Sequence, residues 1–392
     1  MHVSPNGPVS SPVRVALTAA TGFFVMGVLV SVLGPTLPEL RSRHDLGGTG
    51  AALLLAASSI GTVGGIVLAG RYRHRVPVER LLSLGALAMA IGCGGVPVAP
   101  NGGALAATLL VAGFGLGVLD ILLNLLLANG FGSSGGAVLS AVSATFGVSA
   151  VLTPLLVGRA PDELALPYLL CAGGSVALLA LTTTMRAVPT TAPEGRRASA
   201  HELPLIVLLS ALFLGYIAFE SGAASWETTH LRAVTDLSDS ATANAVALFW
   251  LGLTVGRLVT VPLALRWHPG RLVLTSLALG TVTVAFAAHP PYAVAAYALT
   301  GLVIAPVFPA VITWHARAVP SGRGATRMFA LGLAGPTIGA PILGVTTDRA
   351  GAEAVPWVLA AFAIATTAIS LACYRRTTRG TPADGPPVGA AP

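Results

Sequence analysis

The chain has 392 residues, of which 54% are apolar and 9% charged, and its mean hydropathy is +0.81. A typical soluble protein is about 25% charged, so soluble domains are excluded. The recurrent long apolar runs, each able to cross roughly 30 Å of hydrocarbon, make this a polytopic membrane protein. The net charge of +7 is carried by arginine alone, since the chain contains no lysine. Those arginines sit between apolar runs and form no basic face interleaved with aromatics, which argues against a nucleic-acid partner and for a topology signal.

Residues 1–13 form a polar tail, followed by Arg14 and an apolar run of about 20 residues. That run lacks a small-x-small cleavage site, so it reads as a retained first helix and not as a secretory leader. Twelve candidate spans follow at 14–36, 50–70, 80–99, 104–128, 137–158, 166–187, 204–226, 241–265, 271–289, 292–316, 325–346 and 353–374. Residues 188–203 are polar, proline-containing and charged, and divide the chain into bundles at 14–187 and 204–374, with a polar tail at 375–392. The halves echo one another. "GTVGG" (Gly61–Gly65) in span 2 and "GLTVG" (Gly252–Gly256) in span 8 each supply glycines four apart, and Pro154 in span 5 is matched by Pro341 in span 11. Paired halves are a common construction of secondary transporters.

Arginine placement orients the chain. With the N-terminus inside, sixteen arginines fall on the inner side and five on the outer, with Arg257 inside span 8. This positive-inside bias predicts that both termini and the central loop are cytoplasmic. The three cysteines, Cys93, Cys171 and Cys373, have unrelated spacing and suggest neither a disulfide framework nor a zinc site.

Of fifteen acids, Asp120 and Glu220 read as the two embedded in spans, the others falling in loops or at helix ends. Asp120 belongs to "GFGLGVLDILLN" (Gly113–Asn124), where Gly113, Gly117, Asp120 and Asn124 share one helical stripe. An intramembrane acid is costly and faces a bundle interior or wet cavity, which suits it to load and release a proton. The bland alternative is an interhelical hydrogen bond with Asn124, with the glycines as packing surfaces. Glu220 lies on a face with Tyr216 and Ala224, and is the second proton-coupling candidate. Trp226, at the end of the span, reads as an interfacial belt residue.

The loop after span 2 places Gly70 at a helix end, followed by Arg71, Arg73, Arg75 and Arg80. Gly70, Arg71 and Arg75 are gating candidates, as is Arg257, which occupies a symmetry-related place near the inner end of span 8. Pro306 and Pro309 in "GLVIAPVFPAV" and the prolines of "GPTIGAP" (Gly335–Pro341) are expected to break spans 10 and 11. Asn124, Tyr216 and Phe308 are candidate cavity residues.

The stretches "GFGLGVLDILLN", Glu220 with Trp226, "FWLGLTVGR" and "APVFP" together resemble the major facilitator superfamily over nearly the whole chain. Within it they are similar to the fucose-permease-like group of sugar–proton symporters. The resemblance implies an all-α major facilitator fold: twelve transmembrane helices in two pseudo-symmetric six-helix bundles, around a cavity lined by spans 1, 4, 7 and 10 and worked by a rocker-switch. It also implies that Asp120 matches the group's proton-coupling acid in span 4, with Asn124 its polar neighbour. Three departures stand out. Gly34 occupies the place of the group's acid in span 1, His74 and Pro77 replace the usual Asp and Gly of the loop after span 2, and the cavity is poor in sugar-binding polar residues.

The resulting expectation is a monomeric, proton-coupled secondary transporter of the cytoplasmic membrane that takes up a small, sugar-like solute without a cofactor. Its partners are that solute, H⁺ and the lipid bilayer. The alternative is an efflux antiporter for a hydrophobic or cationic drug or metabolite. Neither HExxH spacing nor a paired catalytic set is found, so an enzyme is not expected.

Overall fold

In hydrocarbon every backbone N–H and C=O must be satisfied within its own segment, so apolar runs of this length fold as α-helices. The computed structural model describes residues 11–130, 135–160, 163–185, 202–319 and 324–379. Twelve helical stretches among them are long and apolar enough to cross a membrane. Most of the loop expected at 188–203, and both tails apart from a few residues, lie outside the described residues.

The first nine stretches are built on α1 (Pro12–Arg43), α2 (Gly48–Tyr72), α3 (Val78–Gly95), α4 (Gly102–Gly130), α5 (Gly135–Arg159), α6 (Ala165–Thr183), α7 (Leu203–Val234), α8 (Asp239–Arg266) and α9 (Pro269–Phe286). The tenth is split into α10 (Ala293–Ile304) and α11 (Val307–Ala318), the eleventh into α12 (Ala325–Leu333) and α13 (Gly335–Ala350). The twelfth is α14 (Val355–Arg379). Both splits are proline breaks: Pro306 caps α11 and Pro336 stands in the first turn of α13. A proline ring lacks the donor that would join the two halves of a helix.

Successive spans alternate in direction, so the connection at His44 marks one end of the bundle and the connection at His74 the other. Two helices overrun the expected spans. α1 continues through Pro35 and Pro38 to Arg43, and α7 continues past Trp226 to Val234, giving 32 residues each. Hydropathy marks the hydrocarbon-length core of a helix and not its end, and 32 residues rise about 48 Å. The overrun corrects two expectations. Trp226 is fully buried and is no belt residue, and Glu227, expected at the helix end, lies inside α7 with no exposed surface.

Small residues set the closest helix pairs. On α2, Gly61 and Gly65 meet the backbone of α4 at Leu110 and Phe114, while Gly113 and Gly117 of α4 meet the backbone of α2 at Ser58 and Thr62. In the other half Gly252 and Gly256 of α8 meet the backbone of α10 at Ala298 and Leu302, and Gly301 meets Phe249. The two pairs pack by the same device, backbones brought together where no Cβ intervenes. The glycines of the Asp120 stripe are therefore packing surfaces. Between halves, α2 packs on α13, α5 on α8 and α1 on α7. Cys93 and Cys171 bring free thiols to 3.4 Å between α3 and α6, a proximity their spacing did not suggest.

Candidate functional site

At the His44 end the halves are in direct contact. An added Cβ at Gly34 would strike the Ala224 carbonyl of α7, and Gly344 of α13 meets Gly48 and Ala52 of α2. Asp348, in the last turn of α13, bonds the first turn of α2. Nearer the middle, Ser59 of α2 donates to the Leu333 carbonyl at 2.9 Å and accepts from Thr337 at 3.0 Å, at the α12–α13 break. At the opposite end Arg71 and Arg75 are exposed, on either side of an Arg73 Nε–His74 Nε2 contact of 3.1 Å, with Gly70 in the last turn of α2. The chain is therefore shut at the His44 end.

Asp120 lies about 27 Å along α4 from its start at the His44 end. Asn124 Nδ2 donates to its Oδ1 at 3.0 Å and to its backbone carbonyl at 2.8 Å. An intramembrane hydrogen bond averages about 0.6 kcal/mol, whereas an ionised Asp at a helix centre costs about 2.5–3.5 kcal/mol. The Asn124 bond does not offset that cost, so stability alone gives no reason for an acid here.

In the other half α7 presents Phe213, Tyr216 and Glu220 on one face. Phe213 packs edge-on against Phe308 of α11 (ring centroids 5.2 Å) and tilted against Phe329 of α12 (5.8 Å), and stacks with Tyr216 (6.4 Å). The charge of Arg257, on α8, acts on both Glu220 and Tyr216. Arg257, read as the symmetry counterpart of the arginines after span 2, lies in the inner third of α8 as expected, and its charge also acts on the α7 acid. The sequence shows helix position but not how far a long side chain reaches. Across the halves, Trp250 of α8 meets Phe146 of α5 edge-on at 6.1 Å.

Among the described residues three buried polar atoms in this region, Glu220 Oε2, Arg257 Nε and Trp250 Nε1, have no hydrogen-bond partner, while the Tyr216 hydroxyl and the Glu220 carboxyl bear on each other. A buried unpaired donor or acceptor costs about 1–3 kcal/mol, so such atoms mark a place where something other than the fold is served. Of the expected site residues, Tyr216, Glu220, Arg257 and Phe308 form one neighbourhood, Asp120 and Asn124 a second on the other half, and Gly70, Arg71 and Arg75 a third at the His74 end. Phe213, Phe329, Phe146 and Trp250 were missed. Phe213 was legible as the residue one turn before Tyr216, and Trp250 stands in the quoted "FWLGLTVGR" stretch.

Residues 19–228, more than half of the chain, match the family described as the Major Facilitator Superfamily. The chain belongs to that superfamily. A sodium-dependent glucose transporter 1 of Danio rerio is 26% identical over 347 residues, covering 76% of this chain; the chain spans 58% of that protein's length. A D-xylose-proton symporter has the same fold, with a TM-score of 0.73 at 13% identity, covering 92% of this chain and 97% of the symporter. So does the E. coli fucose:proton symporter, with a TM-score of 0.62 at 16% identity over 91% of this chain and 98% of the symporter. The major facilitator relatives are transporters and not enzymes.

Proposed function

We propose that the protein takes up a sugar-like solute across the cytoplasmic membrane by alternating access, coupled to protons. The observation that carries the reading is Asp120: an acid embedded in α4 whose side-chain hydrogen-bond partner among the described residues is Asn124. Intramembrane acids of this kind mark ion pathways and proton relays. The substrate class follows from the α7 face. The carboxyl of Glu220, the guanidinium of Arg257 and the neighbouring Tyr216 phenol suit hydroxyl groups, and the Phe213, Phe308 and Phe329 rings suit the apolar face of a sugar ring. The glucose-transporter relative and the two sugar-symporter folds support the same class.

The sixteen-to-five split of the arginines makes the His74 end cytoplasmic, with both termini on that side. The arrangement shut at the His44 end is then inward-facing. Gly70, Arg71 and Arg75 belong to the gate at the cytoplasmic end, and Arg257 to the solute site with Glu220 and Tyr216. The protein works as a monomer in this reading.

A second reading rests on the same aromatic cluster, since rings beside Glu220 also suit a hydrophobic cation carried outward in exchange for protons. Proteoliposomes separate the two. D-glucose, D-xylose, L-fucose and a hydrophobic phosphonium cation are offered under a pH gradient or a sodium gradient. Sugar accumulation driven by external acid supports the proposal. Phosphonium extrusion with no sugar movement overturns it in favour of efflux, and sugar uptake that follows sodium alone removes the proton.

A further inference from the structure

From Ser240 to Thr347 the chain has no acid, and its charged residues there are Arg257, Arg266, Arg271, Arg317, Arg323 and Arg327. Two of these arginines border a pocket at the His74 end. α8 pairs closely with α10 through Gly252 and Gly256, and the last contacts of that pairing are Leu302 and Ala305. At the next residue, Pro306, the tenth span breaks. Beyond the break α8, α9 and α11 enclose an open cavity of about 340 Å³, within the ~300–1,000 Å³ range of small-ligand sites. Its walls include Thr260, Ala264, Trp267, Pro309, Thr313 and Arg317, and none of its lining residues is acidic.

Arg271 brings a second cation to the rim: its Cζ lies over the Trp267 ring, 5.1 Å from the centroid. Arg271 and Arg317 are both exposed and, among the described residues, form no ion pair. Thr260 and Thr313 spend their hydroxyl protons on their own helices, at the carbonyls of Gly256 (2.6 Å) and Pro309 (2.9 Å). The guanidiniums are therefore the charged donors on offer. α9 packs on α10, α11 and α14 of its own half, so the pocket lies on the outer flank of the bundle. On its side toward the membrane middle, Leu258 and Val259 of α8 and Ile312 of α11 are apolar and exposed. Apolar surface, an interfacial tryptophan and two cations thus follow one another along the membrane normal.

We propose that this pocket binds the headgroup of an anionic phospholipid of the cytoplasmic leaflet. Arg271 and Arg317 hold the phosphate, Trp267 packs against the glycerol region, and the acyl chains run along Leu258, Val259 and Ile312. A guanidinium matches phosphate oxygens in geometry as well as charge, and basic pockets between membrane helices on the cytoplasmic side take anionic headgroups. A topology signal needs charge near a span end, but neither a cavity nor an aromatic platform under the cation. The choice of leaflet rests on the orientation proposed above; the binding does not rest on the transport reading.

Tryptophan fluorescence of the full chain in phosphatidylcholine vesicles tests it. Phosphatidylglycerol brominated on its acyl chains should quench more than an equal share of brominated phosphatidylcholine, and Trp267→Phe should remove most of that excess. Arg271→Gln and Arg317→Gln should each weaken the preference for phosphatidylglycerol about fivefold, and together about twenty-five-fold. Ala264→Phe fills the pocket without touching its charges and should abolish the preference. Arg14→Gln combined with Arg80→Gln removes the same charge from the other half and should keep it. Brominated phosphatidylcholine should quench every variant that retains Trp267 as it does the wild type, which shows that each is folded and inserted. Equal quenching of the wild type by the two lipids overturns the proposal, as does a preference that survives Ala264→Phe. A preference lowered as much by the Arg14 and Arg80 pair as by the Arg271 and Arg317 pair is surface attraction alone and also overturns it. Displacement of phosphatidylglycerol by millimolar inorganic phosphate overturns the lipid in favour of a free anion. Proteoliposomes that move no sugar defeat the transport reading instead, whatever the quenching shows.

Discussion

Asp348 and Thr49 tie the two halves of the molecule together at the His44 end. Asp348 accepts from the Thr49 backbone at 2.7 Å and the Thr49 hydroxyl at 2.6 Å, and from the Gly48 N–H at 2.5 Å. The carboxylate of α13 thereby caps the N-terminus of α2, where unsatisfied N–H groups and the helix dipole favour a negative charge. Opening this end requires the cap to break.

Loss of the cap should therefore favour the open form. Asp348→Leu is expected to raise the labelling rate of a cysteine at Ser225, a position packed behind the α1–α7 contact at that end, severalfold over the same cysteine in the wild-type background. Thr49→Val should produce a smaller rise, because the two backbone donors keep their acceptor. An unchanged rate in both variants would show that the contact does not hold the end shut.

Gly34 acts at the same closure from the α1 side. It stands where the resemblance places a second acid, and its Cα lies against the Ala224 carbonyl. Gly34→Ala introduces a clash of the kind that costs about 1–3 kcal/mol. The expected result is closure disfavoured by about tenfold, read as faster labelling at Ser225 and slower transport. Wild-type rates for Gly34→Ala would mean that α1 and α7 need not meet during the cycle.

The twelve spans, the proline breaks and the paired glycines of α2 and α8 were legible in the sequence because each is a local signal: a run of fixed length, a missing donor, a missing Cβ. Asp120 and Glu220 were legible because charge is rare in these helices. Glu227 was not, because polar neighbours from Trp226 to His230 look like the end of a span when hydropathy is the guide. The bearing of the Arg257 charge on Glu220 and the bonding of Asp348 to a helix 299 residues earlier depend on tertiary placement, which no single segment carries.

Arg257 and Glu220 should behave as a unit. Removing either leaves the other's charge beside an uncharged partner, so Arg257→Gln and Glu220→Gln should each lower transport about tenfold. The double variant should be no worse than the worse single, a coupling within the ~0.5–3 kcal/mol range of interacting neighbours. Strictly additive losses in initial rates would show that the two residues act separately.

His268 gives a pH-dependent stability outside the spans. It caps α9 by accepting from the Gly270 N–H at 3.1 Å and packs edge-on against Trp314 and Tyr374. Burial, and then the charge of Arg317, hold its imidazole below the ordinary value of 6.5. The unfolded chain therefore binds the extra proton first. The contribution of neutral His268 is complete above pH 6.5 and is lost as pH falls through its lowered value. Thermal melts should show a decline in stability across that acid range, and His268→Asn should flatten it. A variant that declines as steeply as wild type would move the pH dependence elsewhere.

The account stands or falls on Asp120. Asp120→Asn keeps the size and hydrogen bonding of the side chain but fixes it neutral, as in the protonated state. One proton crossing roughly 100 mV supplies about 2.3 kcal/mol, enough for about a fortyfold solute gradient. In proteoliposomes bearing a proton-motive force, the variant should lose that accumulation while still exchanging labelled for unlabelled solute at a rate near that of the wild type. Accumulation by Asp120→Asn equal to the wild type would contradict proton carriage by Asp120 and leave its bond to Asn124 a structural one.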